Sequence, residues 1–139
     1  MGFRIVEGAE NMKTEEVVQL LRTTYWAEKR PLERIETSMA NSACFGVYSE
    51  EARALVGFAR VITDWATTYY LCDVVIDPAL RGRGLGKALV GHIESRPEYA
   101  GLRGFLITRD AQGLYRTFGY EVVTGRFMSK TNEGNGGTC

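Results

Sequence analysis

Three glycines spaced two apart, flanked by cations, sit between an apolar run and a stretch of helical periodicity. The phrase is Arg81-Gly82-Arg83-Gly84-Leu85-Gly86-Lys87. Upstream, residues 68–76 are apolar or aromatic at nearly every position; downstream, Leu85, Leu89, Val90 and Ile93 recur at helical spacing. A strand, a glycine loop and a helix in that order make an anion site. Glycines accept positive φ and let a ligand approach the backbone. The first turn of a helix carries unsatisfied N–H groups and a partial positive charge. Arg81, Arg83 and Lys87 add charge at the same point, and a diphosphate is the natural guest. Two familiar diphosphate loops fail here. A P-loop needs Gly where Arg81 stands and Ser or Thr where Ala88 stands, and a dinucleotide fingerprint counted from Gly82 needs Gly at Lys87.

The rest of the chain narrows the architecture. Its 139 residues fit one domain, expected over residues 1–130, with a polar, Gly-rich tail at 131–139 expected to be disordered. Seventeen basic residues balance seventeen acidic ones, which argues against a general nucleic-acid or anionic-membrane binder. No apolar run approaches a membrane span. Cys44 and Cys72 lie among apolar residues and read as buried thiols of a reducing cytoplasm. With one histidine and no paired cysteines, no metal site is expected.

Periodicity predicts a strand over 3–7, a helix over 11–24 capped by Asn11 or Thr14, and a second helix from Pro31 to Met39. Strands follow at 44–48, 54–63 and 68–76, the last in the sheet centre because it is apolar on both faces. After the loop come a helix over 86–95, a strand over 104–108, a helix over 110–118 ending at Gly119, and a final strand beginning at 120–123. An antiparallel meander leading into a strand–loop–helix–strand unit is a mixed α/β (α+β) fold, not a doubly wound one.

Residues 74–89, VVIDPALRGRGLGKAL, resemble the acyl-CoA signature of the GNAT superfamily of N-acetyltransferases. Its core [RQ]-x-x-G-x-[GA] is met by Arg81, Gly84 and Gly86. Residues 110–120, DAQGLYRTFGY, resemble that family's second hallmark, a short helix ending in an aromatic and glycine phrase. The likeness covers residues 3–127 in element order. It extends to a small group of uncharacterised bacterial GNAT proteins through Trp26 to Met39 and Cys44 to Tyr48.

The resemblance implies a central, mostly antiparallel splayed sheet flanked by helices, and acetyl transfer from acetyl-CoA to a primary amine by direct attack, without a metal. A non-catalytic acyl-CoA-binding module is the alternative. The acceptor is a small molecule or a protein amine, and a homodimer fits the family. The backbone of Val74, Val75 and Ile76 would pair with the pantetheine arm, the amides of residues 82–87 would hold the pyrophosphate, and an N–H near Val75 or Ile76 would polarise the thioester carbonyl. Tyr115 takes the family's proton-donor position, though it also sits in an apolar patch with Leu114 and Phe118. Asp73, inside an apolar strand, reads as a general base or as the partner of Arg60. Tyr25, Trp26 and Arg30 read as acceptor-pocket wall or as core. Asp64 reads as a turn residue or as a contact at the acceptor entrance.

Overall fold

Residues 43–76 are rich in β-branched and aromatic side chains, and they pair with one another in chain order. The computed structural model describes residues 2–131. Its strands are β1 (Phe3–Glu7), β2 (Ala43–Ser49), β3 (Ala54–Thr63), β4 (Thr68–Ile76) and β5 (Arg103–Phe105), and its helices are α1 (Thr14–Leu21), α2 (Leu32–Ala40), α3 (Leu85–Glu94) and α4 (Gln112–Arg116). Single 3-10 turns occupy Ala9–Asn11, Pro78–Leu80 and Pro97–Tyr99. The five strands form one sheet in the order β1-β2-β3-β4-β5. All pairs are antiparallel except β4 with β5. The sheet is flanked by helices, and β4 lies inside it between β3 and β5. Among the described residues, no helix is long and apolar enough to cross a membrane.

Side-chain alternation along the strands splits the apolar residues between two faces. One face carries Phe45, Val47, Val56, Val61 and Leu71, covered by Leu85, Leu89, Val90 and Ile93 of α3 and by Tyr115 of α4. The other carries Cys44, Leu55, Phe58 and Val75, covered by Val17, Leu20 and Leu21 of α1 and Ile35 and Met39 of α2. Each fully buried aliphatic side chain contributes about 1.5–3 kcal/mol. The four α3 anchors therefore hold that helix, and the loop that begins it, firmly against the sheet.

Several expected boundaries move. The helix expected over 11–24 begins at Thr14 with Lys13 as a cap lacking a side-chain bond, because Asn11 instead donates to the Glu7 carbonyl. The strand expected over 104–108 shortens to Arg103–Phe105. The strand expected from Tyr120 does not form. Residues 120–131 have no regular structure, and Val122 and Val123 are about half exposed. The physical reason is local: the Tyr120 hydroxyl is tied to Glu94 of α3 at 2.8 Å, and a cavity separates this segment from residues 103–108. Of the tail expected to be disordered, residues 132–139 lie outside the described residues.

Candidate active site

The glycine loop is built from the end of β4 outward. Asp77 accepts the Ala79 amide and starts the Pro78 turn, which stops the strand. Gly82 and Gly84 follow with φ of 84° and 79°. Gly84 is the left-handed N-cap of α3, and its carbonyl accepts from Ala88. A Cβ placed on Gly82 or Gly84 would stand in open space. Among the described residues, the amides of 82–87 meet no backbone or side-chain acceptor. Leu85 is buried, while Arg81, Arg83 and Lys87 are exposed around the loop. The result is an open cradle of donors with cations at its rim, and its chemistry fits a diphosphate.

Strand β4 opens beside this cradle. It pairs with β5 only through Thr68, Tyr69 and Tyr70. Between Phe58–Val75 and Arg60–Cys72 the register advances two residues on β3 and three on β4, an inserted residue at a bulge. Asp73 sits there with φ 55°. A bulge bends its strand, and this one follows the point where the β4–β5 register ends at Tyr70. Because Asp77 donates to the Val56 carbonyl at 2.8 Å, alternation turns the backbone groups of Val75 toward β3. Those of Val74 and Ile76 then face the open side.

Asp73 itself is 1% exposed. Its Oδ2 accepts from Arg30 at 2.7 Å and from Arg60 at 2.6 Å, and its Oδ1 accepts from the Trp26 indole at 3.0 Å. Burial pushes its pKa up, but the Arg60 charge and the bonds from both arginines outweigh that and hold it below the usual carboxylate range. A carboxylate held this way is a weaker proton acceptor than a free one, and its bonds from Arg30 and Trp26 tie the α1–α2 connection to the bulge. The pairing with Arg60 is the one the sequence left open. Arg30, 6% exposed, donates to Asp73, and Trp26 is half-buried in the same cluster. Tyr25 remains exposed and meets Trp26 edge-on at 5.0 Å.

Asp64 sits in the β3–β4 turn. It accepts from the Ala66 and Thr67 amides and from the Thr67 hydroxyl. Those bonds, led by Thr67, depress its pKa. It caps this turn, at the end of β4 opposite Val74.

Tyr115 is buried between α4 and the sheet, in the cluster that includes Val74, Ile76 and Leu106. Its carbonyl accepts the amides of Phe118 and Tyr120. Three contacts here join residues far apart in sequence. The guanidinium of Arg109 lies 3.8 Å from the Tyr25 ring centroid, joining the α1–α2 connection to the β5–α4 connection. Tyr69 and Tyr120 both donate to Glu94, at 2.5 and 2.8 Å. Burial and these bonds push both phenols up. The aromatic spacing could have flagged Tyr69 and Tyr120, but their shared carboxylate lies 25 and 26 residues away in sequence.

Comparison with known proteins points to one family. The sequence profile of the acetyltransferase (GNAT) family matches residues 14–120. A crystal structure of a GNAT-family protein from Xanthomonas campestris pv. campestris superposes with a TM-score of 0.87 at 33% identity, covering 96% of each chain. The histone acetyltransferase TAP1 of Glycine max is 29% identical over 68% of this chain and 46% of its own length. An aminoglycoside 6′-N-acetyltransferase solved with coenzyme A is 26% identical with a TM-score of 0.56, over 66% of this chain and 53% of that one. The chain spans about half the length of the curated relatives it matches.

Proposed function

Because the chain belongs to the acetyltransferase (GNAT) family, we propose that it transfers an acetyl group from acetyl-CoA to a primary amine by direct attack. The observation that carries this reading is the conjunction of two open features: the acceptor-free amides of 82–87 and the parted end of β4 at Val74–Ile76. Acetyl-CoA supplies the acyl group as an activated thioester. In this reading the amides of Gly82 to Lys87 hold its diphosphate, with Arg81, Arg83 and Lys87 neutralising the charge. The outward backbone of Val74 and Ile76 pairs with its pantetheine arm as an added strand would. The Ile76 N–H points to the side where a thioester oxygen would lie and stabilises charge developing there. The Tyr115 hydroxyl holds the proton for the departing thiol. Tyr25, with Arg109 over its ring, forms the wall past which the amine approaches.

The amine must arrive neutral. An alkyl amine of pKa ~10.4 reaches that form at pH 7 at a cost of roughly 4–5 kcal/mol. A desolvating pocket reduces this cost by disfavouring the ammonium. Since Asp73 is tied up by two guanidiniums, desolvation rather than a carboxylate base fills this role. The test is calorimetry with acetyl-CoA beside a thiol-release assay over a panel of amines. Micromolar binding with amine-dependent thiol release is expected. Binding without transfer to any amine would instead mean a CoA-binding module, and no binding would remove the assignment.

A further inference from the structure

A cavity of about 570 Å³ lies between residues 103–108, α4 and the segment 120–127. Its size is that of a small-ligand pocket. Phe105, Leu106, Ile107, Val122 and Phe127 give it an apolar floor. Three arginines, Arg103, Arg116 and Arg126, line it against one carboxylate, Glu121. Among the described residues no salt bridge engages any of these four. The cavity also touches the site described above. Tyr115 and Leu106 line it; Tyr115 belongs to the apolar cluster against which Leu106, Val74 and Ile76 all pack. Tyr120 lines one side of the cavity with its hydroxyl fixed by Glu94, and Gly104 gives that hydroxyl room, since a Cβ there would lie 2.7 Å from it.

We propose that this cavity is the acceptor site, and that its acceptor is an amine with an apolar body and a carboxylate or phosphate. The inference rests on the acetyltransferase reading and adds the substrate class to it. An apolar floor binds the body and lowers the cost of the neutral amine. Arg116 and Arg126 pair with the anionic group, where a planar guanidinium makes a bidentate contact. A cationic acceptor such as a polyamine or an aminoglycoside meets like charge at the rim.

The experiment measures initial rates of acetyl transfer to L-phenylalanine, L-phenylalaninamide and phenethylamine. The amide carries the least basic amine of the three, so the abundance of nucleophile favours it, and any preference for the carboxylate comes from the site. The wild-type protein is expected to show kcat/KM at least tenfold higher for phenylalanine than for either partner. The exposed pair Arg116→Gln/Arg126→Gln should lower that preference tenfold or more through KM, and Arg116→Lys/Arg126→Lys should restore part of it. Preference for the amide or for phenethylamine, or a preference untouched by the glutamine pair, overturns the proposal while leaving acetyl transfer standing. Transfer to none of the three, nor to any amine of the wider panel, removes the acetyltransferase reading and this inference with it.

Discussion

Replacing Gly84 separates what the glycine loop does for the fold from what it does for a ligand. An ideal Cβ at this position meets no protein atom within 4 Å. The cost of Gly84→Ala to the folded chain is therefore backbone strain alone. With φ at 79°, that is about 1–2 kcal/mol for an L-residue. In a chain of 139 residues, this lowers Tm by roughly 3–10 °C. The cost to the cofactor is larger, because the same methyl projects from the cradle into the path of a diphosphate. Loss of two charge-assisted hydrogen bonds, at about 1.5–3 kcal/mol each, removes roughly 3–6 kcal/mol. That corresponds to a 10²- to 10⁴-fold weaker Kd for acetyl-CoA. Gly84→Val adds two methyls and deepens both effects. Calorimetry and thermal melts on the same samples read the two costs. Acetyl-CoA affinity within threefold of wild type would refute the cradle, and a Tm drop beyond 15 °C would refute the open space around Gly84.

Tyr115→Phe should reduce kcat tenfold or more with acetyl-CoA affinity within a factor of two, and an unchanged rate would take the hydroxyl out of the proton-donor role. Asp73→Asn withdraws the shared carboxylate from Arg30 and Arg60 and should destabilise by about 3–5 kcal/mol in denaturant titration. Since the folded-state pKa of Asp73 is depressed, its stabilisation is present above the unfolded value near 4 and is lost as pH falls through the folded value. Wild type and variant should therefore converge in stability in acid, and a constant gap down to pH 2 would contradict the ion cluster. Burial raises the Cys44 thiol to about 11, so iodoacetamide should leave it unmodified at pH 8 in the folded protein, as read by mass spectrometry; its contribution to stability falls as pH rises from about 9 through 11.

Strands β3 and β4 were legible to the residue, because apolar and β-branched runs bounded by polar turns admit one reading. The glycine cradle was equally plain, since alternating glycines between a strand and a helix state their own geometry. Asp73 was legible only as a question. A carboxylate in an apolar strand demands a partner, but Arg30 and Trp26 lie 43 and 47 residues away and reach it only once α1 and α2 cover the sheet. Residues 120–123 misled for a related reason. Tyr120-Glu121-Val122-Val123 has strand composition, yet a strand needs a neighbouring edge within hydrogen-bond reach, and the Tyr120–Glu94 bond pulls this segment aside. The Arg109–Tyr25 contact and the three-arginine cavity are products of tertiary folding, with no pattern in sequence to announce them.

Unsatisfied amides at the start of α3 and along the end of β4 should receive acetyl-CoA. Backbone amide NMR during titration with acetyl-CoA tests it most directly. Large shifts are expected for the amides of Gly82 to Lys87 and of Ile76, with little change across β1 and β2. Shifts absent from those amides while acetyl-CoA binds elsewhere would contradict it.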